Sequence, residues 1–161
     1  PIGLLTMLAA RRAGVGEITA LDIAPAPLAF ASDLGADHAI DISDEANAPA
    51  SAFDVCFEAS GSPAGLAAAV RAARRGGTVV LIGNLPGGHI PAPANAVMAK
   101  ELDLRGTFRF GEEFTEAVRL IATGAVEVER LITASRPLAE AVDAFRLALD
   151  RSRSIKVVLT A

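Results

Sequence analysis

The chain has 161 residues, enough for one domain with a substantial core, and its 52% hydrophobic content with only 4% aromatics suits helices packed closely on a sheet. A net charge of −4 supplies no basic footprint and argues against nucleic acid as a partner. No apolar run approaches the length of a membrane span, no signal peptide is read before the domain, and a single cysteine forms no internal disulfide, so no membrane partner and a cytoplasmic location are expected.

In chain order, an apolar helical run opens at Gly3 and continues through Ala10, and Ile18-Thr19-Ala20-Leu21-Asp22 reads as a strand. A glycine opening a helix, followed about 20 residues later by an acid that closes a β-rich strand, is the spacing of a dinucleotide-binding βαβ unit. Gly3 lets helix and strand approach closely, with a pyrophosphate at the helix N-terminus, where free N–H groups and the dipole favour an anion. Asp22 is placed to accept hydrogen bonds from both hydroxyls of an adenosine ribose. The first two glycines of the G-x-G-x-x-G fingerprint and the strand before them would lie upstream of Pro1, so the chain is expected to be a piece of a longer protein lacking its first strand.

Pro25 can open a helix through Leu34, because its missing N–H is not needed in the first turn, and Gly35 is placed to cap the end. Strands are predicted at His38–Ile42 and Phe53–Glu58, with Asp44–Ala52 a polar loop or short degenerate helix. Ser62-Pro63 starts a helix through Arg75, which Gly76-Gly77 ends before the apolar strand Thr78–Gly83. A loop rich in proline and glycine follows from Asn84 to Pro93, then a short helix near Asn95–Lys100, a strand over Leu102–Phe110 and a helix over Glu112–Thr123 with Phe114, Val118 and Ile121 on one face. Such alternation with apolar strands implies an α/β fold, a doubly wound parallel sheet of Rossmann type that holds its ligand at the carboxyl ends of the strands. Past Gly124 a strand at Arg130–Ala134, a helix from Pro137 to Asp150 and a strand at Ile155–Leu159 form a tail, so the division expected is 1–124 for the dinucleotide-binding domain and 125–161 for a tail that belongs with another domain. The last strand would otherwise be an exposed edge, and a partner outside the sheet is expected to cover it.

Pro1-Ile2-Gly3, the Asp22 strand end, Leu34-Gly35-Ala36-Asp37, Phe57-Glu58-Ala59-Ser60-Gly61, the run Gly76–Gly83, and Lys100-Glu101 through Gly106-Thr107-Phe108-Arg109-Phe110 together resemble the zinc-dependent medium-chain alcohol and polyol dehydrogenases. The resemblance covers essentially the whole chain. Gly106–Phe110 and the ending Asp150-Arg151-Ser152-Arg153-Ser154-Ile155-Lys156-Val157 are most similar to the L-idonate 5-dehydrogenase group, with sorbitol-type and threonine-type dehydrogenases as near relatives. The resemblance implies hydride transfer between a secondary alcohol of a sugar acid or polyol and NAD, with a zinc ion that lowers the alcohol's pKa. It places the zinc ligands and the catalytic residues in an N-terminal domain outside this chain. Cys56, His38 and His89 are scattered without ligand spacing, so no metal is expected here.

Carried over position by position, the resemblance implies that Pro1, Ile2 and Gly3 face the pyrophosphate and that Asp22, with Ile23 after it, holds the ribose. Ser60 and Gly61 pass near the adenine and its ribose; Ile82, Gly83 and Asn84 present backbone groups to the nicotinamide carboxamide; Phe108 and Arg109 close over that end. Asp22 selects NAD over NADP, since a carboxylate repels a 2′-phosphate and Ile23-Ala24-Pro25-Ala26-Pro27 contains no compensating cation. Polyol dehydrogenases of this family often carry a basic residue where Pro27 stands. The resemblance also implies a homodimer or homotetramer, built by pairing the strand Leu104–Phe110 across a two-fold axis.

Blander readings stand beside these. Asp22 could be a solvated strand end, Gly61 and Gly83 turn glycines, Arg109 a surface ion pair, Cys56 an inert core thiol, and His38 and His89 surface residues. Arg71, Arg74 and Arg75 suit the dipole of a helix C-terminus without any phosphate. A dehydrogenase's cofactor-binding portion and a non-catalytic nucleotide-binding regulatory module are therefore both open. Substrate choice between idonate, sorbitol and threonine rests on analogy.

Overall fold

The computed structural model describes residues 1–150 and 152–161; Arg151, quoted above within the chain's ending, lies outside the described residues. Helices α1 (Ile2–Arg12), α2 (Pro25–Asp33), α3 (Pro63–Ala72), α4 (Ala94–Ala99), α5 (Glu113–Ala122) and α6 (Ala141–Leu149) alternate with strands β1 (Thr19–Asp22), β2 (His38–Asp41), β3 (Phe53–Glu58), β4 (Ala73–Leu81), β5 (Asp103–Gly106), β6 (Ile132–Pro137) and β7 (Lys156–Thr160). Every pairing between these strands is parallel, in three sheets ordered β1-β2, β3-β4-β5 and β6-β7. The fold is the Rossmann-like α/β arrangement that the alternation predicts.

Two compact units divide the chain. Gly3–Ala46 and Gly111–Ala161 form one, and Asn47–Phe110 form the other.

In the first unit Leu4 and Met7 of α1, one turn apart on the same face, bury themselves with Ala31 of α2 and Leu131, and Ile18, Ala20 and Ile155 pack around them. Pro25 stands at the start of α2, as its fixed φ favours. The loop between α1 and β1 is tied down by Arg11, whose guanidinium donates to the carbonyls of Val15, Gly16 and Gly35 and pairs with Asp37. Phe114, Val118 and Ile121 on α5 are about half exposed. The tail strand β7 pairs with β6, Ile132 opposite Lys156 and Pro137 opposite Thr160. The predicted Pro137–Asp150 helix is a 3₁₀ turn at Leu138–Glu140 followed by α6.

In the second unit α3 lies on β3 and β4, and Leu66, Ala69 and Val70 of the helix close over Cys56 and Val79 of the strands. Ser62 caps α3, its Oγ accepting the Gly65 N–H at 2.9 Å, and Pro63 follows at the first helical position.

Two expectations change here. The helix predicted through Arg75 stops at Ala72, and its terminus is not made by glycine. The Lys100 ammonium donates to the carbonyls of Val70, Arg71 and Ala73, satisfying the C-terminal acceptors from another segment of the chain. The chain then pairs with β3 once, Ala73 opposite Phe53, and shifts register before resuming at Thr78 opposite Val55. Arg74 and Arg75, in that irregular stretch, pair with Asp54 and Glu101 instead of completing a helix. The strand predicted over Leu102–Phe110 is also shorter. Thr107 donates its N–H to Leu81 O, the last residue of β4, and two residues later Arg109 takes φ 68°, a left-handed value that no strand accommodates.

Candidate functional site

The carboxyl ends of β3 and β4 carry five of the residues singled out from the sequence, Ser60, Gly61, Ile82, Gly83 and Asn84, and the structure brings them together. The residue that assembles them is Glu58, last in β3 and only 3% exposed. By strand alternation it shares the α3-facing side with Cys56, while Val55 and Phe57 on the other side remain about half exposed.

A buried carboxylate is tolerated when donors converge on it. Here Oε1 accepts the Ser60 N–H at 2.8 Å, the Ser60 hydroxyl at 2.5 Å and the Gly61 N–H at 3.0 Å, and Oε2 lies 3.3 Å from the same Gly61 nitrogen. Because the Ser60 proton is committed to Glu58, the 2.9 Å contact between the Ser60 and Ser62 hydroxyls is donated by Ser62. The main-chain oxygen of Glu58 accepts the N–H groups of both Ile82 and Gly83 at 2.8 Å. One residue thus holds the turn after β3 with its side chain and the turn after β4 with its backbone.

The glycines follow from this closeness. Gly61 has φ +68°, and a Cβ there would meet Asn84 O at 2.7 Å. A Cβ on Gly83 would sit 2.6 Å from both Gly61 Cα and Glu58 Oε2. Neither position has room for a side chain. With the donors of Ile82 and Gly83 given to Glu58, these two residues can offer a ligand their carbonyl oxygens, which are acceptors only.

Phe108 and Arg109 leave β5 just beyond the Thr107–Leu81 hydrogen bond. The Arg109 guanidinium stacks over the Phe108 ring, 4.8 Å from its centroid, and the ring itself is 80% exposed. The surface ion pair considered for Arg109 is replaced by this stack.

The remaining residues lie at the start of α1 and the end of β1. Pro1 precedes α1, and its carbonyl accepts the Leu5 N–H at 3.0 Å; Ile2 and Gly3 open the helix and are exposed. Asp22 ends β1, half-buried, with Oδ1 accepting the Ala24 N–H at 3.0 Å, and Ile23 after it is exposed. Across the sheet Asp22 stands in register with Asp41, the last residue of β2. Hydrogen bonding from Ser43 holds the Asp41 carboxyl below the ordinary carboxylate range, so it is ionised at neutral pH.

Among the described residues no three His, Cys, Asp or Glu side chains form a group able to hold a metal. Cys56 is buried in the second unit's core, and desolvation pushes its thiol up to about 11 despite the opposing charge of Lys100. His38 pairs with Glu17 at 3.2 Å on the surface, and His89 is exposed in its loop.

Glu58 is the functional candidate that sequence reasoning passed over. Its signal was present: an acid closing β3 on the Cys56 side, two and three residues before a serine and a glycine whose donors can turn back to it.

Comparison with known proteins agrees with this architecture. Residues 1–123 match the family model described as zinc-binding dehydrogenase. L-idonate 5-dehydrogenase (NAD(P)(+)) of Escherichia coli (strain K12) is 34% identical over 163 residues, 99% of this chain and 47% of that protein. The crystal structure of L-idonate 5-dehydrogenase from Escherichia coli str. K-12 substr. MG1655 superposes with a TM-score of 0.90 at 32% identity, covering 100% of this chain and 47% of that one. A protein of Sinorhizobium meliloti 1021 described as a zinc-binding dehydrogenase, bound to NADP, gives 0.85 at 30% identity, covering 99% of this chain and 49% of that one. The chain spans about half the length of these relatives. With a family model covering three-quarters of its residues and the same strand-and-helix course as solved members, the chain belongs to the zinc-binding dehydrogenases.

Proposed function

We propose that this chain is the cofactor-binding portion of an NAD-dependent, zinc-dependent dehydrogenase that oxidises a secondary alcohol of a sugar acid or polyol, L-idonate being the first substrate to test. Asp22 carries the reading. One of its carboxylate oxygens is engaged by Ala24, which orients the group at the carboxyl end of β1, and the other is directed to the ribose hydroxyls of a dinucleotide. Asp41 beside it adds a second negative charge, and Ile23–Pro27 holds no lysine or arginine, so a 2′-phosphate meets repulsion without compensation. NAD is therefore preferred over NADP.

In this reading Pro1, Ile2 and Gly3 take the pyrophosphate at the start of α1, and Ser60 and Gly61 pass along the adenine side. The carbonyls of Ile82 and Gly83 accept from the carboxamide NH₂, with Asn84 beside them, and the Phe108–Arg109 stack shields the ring end from water. Bound NAD supplies the hydride acceptor. The described residues do not fit a zinc site, so zinc belongs to another part of the protein, as do the groups that contact the alcohol. Residues 1–124 are assigned to the cofactor domain and 125–161 to a tail that belongs with the catalytic domain. The exposed edge strand β5, with Leu104 on it, is assigned to a homodimer or homotetramer contact that light scattering tests.

The test is a fluorescence titration of the protein, as its own gene encodes it, with NADH and NADPH. Asp22→Ala is expected to raise Kd for NADH about tenfold, about 1.4 kcal/mol, and to narrow the gap to NADPH. Turnover of L-idonate or a polyol with NAD, lost on treatment with a zinc chelator, is the accompanying assay. Unchanged affinity for both cofactors in Asp22→Ala refutes the ribose role.

A further inference from the structure

We infer that Glu58 is a positioning residue for the cofactor, a clamp that pre-forms both turns on which the adenine and nicotinamide halves are proposed to rest. This rests on the cofactor reading above and adds to it a residue that does not itself face the ligand. Three observations carry it.

The carboxylate is buried although an apolar side chain would fill the same space against α3 at no electrostatic cost. Replacing buried ionic groups by well-packed apolar ones is often neutral or stabilising, so stability alone does not account for an acid here. Its side-chain acceptors go to Ser60 and Gly61 and to no residue of the α3 interior, so its hydrogen bonding is spent on the turn after β3. Its backbone oxygen takes the N–H groups of Ile82 and Gly83, and the two turns approach too closely for a Cβ on Gly61, which would meet Asn84, or on Gly83, which would meet Gly61. Displacing Glu58 therefore moves both turns.

A turn held in its bound shape before the ligand arrives does not have to be ordered at the moment of binding, and affinity rises accordingly. Unclamped, the same turns must be ordered by the cofactor. The consequence falls on cofactor affinity: KM for NAD and Kd for NADH rise, while kcat at saturating NAD is largely kept.

The experiment compares wild type, Glu58→Gln, Glu58→Ala and Ser60→Ala in the protein as its gene encodes it, each measured for NADH Kd, for KM and kcat with NAD, and for thermal midpoint. Glutamine keeps the Oε1 contacts and loses only the charge and the longer Oε2 contact, so its Kd is expected to rise about fivefold, against more than tenfold for alanine. Ser60→Ala removes the 2.5 Å contact, and its effect in combination with Glu58→Gln is expected to be less than additive, because the charge that Glu58→Gln removes is what strengthens that same contact. Should Glu58→Ala fail to fold, Glu58→Gln and the cycle with Ser60→Ala carry the test. Wild-type protein that does not bind NADH overturns the cofactor reading, and this inference with it. Wild-type binding with Kd within twofold in Glu58→Gln, whatever the thermal midpoint does, overturns the clamp alone.

Discussion

Gly83→Ala is the sharpest perturbation of the two-turn arrangement. Its added methyl would lie 2.6 Å from Gly61 Cα and from Glu58 Oε2, whereas carbon atoms rest at about 3.5–4.0 Å. The overlap is on the order of 1 Å, and the obstructing atoms on the Gly61 side are backbone, which cannot swing aside as a flexible side chain would. The turns must separate. That movement stretches the Gly83 N–H bond to Glu58 O, 2.8 Å in the native structure, and the Gly61 N–H bond to Oε1, 3.0 Å. Overpacking of a filled site costs about 1–3 kcal/mol and each hydrogen bond about 1 kcal/mol, so a loss of about 3–5 kcal/mol is expected. The control is Gly87→Ala, in the following loop, where a Cβ would meet nothing within 4 Å; its effect should stay within about 0.5 kcal/mol. Urea unfolding followed by circular dichroism reads the difference as a lower midpoint at unchanged slope. A Gly83→Ala variant within about 1 kcal/mol of the Gly87→Ala control refutes the reasoning.

Further predictions rest on separate contacts. Lys100→Met removes the ammonium from three carbonyls at the end of α3 and should cost about 2–3 kcal/mol in urea unfolding, whereas Lys156→Met, on exposed β7, should be near neutral. The Arg11 hydrogen bond, with the Ile18 N–H second, lowers the Asp37 pKa from its ordinary 3.8. The stability this pair contributes is therefore present above that pH and lost as the pH falls through the native value, and the gap between wild type and Asp37→Asn should narrow once unfolding is measured below pH 3.8. Cys56, with its thiol raised to about 11, stays protonated at neutral pH; its contribution is present below 9.0 and lost as pH rises through 11. A disulfide reagent at pH 8 should label it in urea and scarcely at all in the native protein.

Where physical causes are local, the sequence was legible. Pro25 and Ser62-Pro63 start helices with groups they carry themselves, and β3 has the residue range that its apolar run predicts. Of the candidate site, Ser60, Gly61, Ile82, Gly83 and Asn84 were legible from the order of the motifs, and the two-turn cluster that joins them is observed. Less legible was the role of the N–H groups of Ser60, Gly61, Ile82 and Gly83, which Glu58 takes for itself. The surface reading of Arg109 missed the Phe108 stack, because a left-handed residue in a loop sends its side chain where no periodicity points.

Strand and helix alternation, and with it the parallel α/β course, was set by the sequence itself, because apolar spacing and missing or capping donors act over a few residues. The end of α3, the early stop of β5 and the burial of Glu58 were decided only in three dimensions. Each depends on a partner from elsewhere or on a turn folding back: a lysine 28 residues past the helix end, the finishing residue of β4, and donors that reach an acid only once the chain after it has curved. Whether a charge is paired inside or solvated outside depends on where those donors converge, and residue type alone does not carry that information.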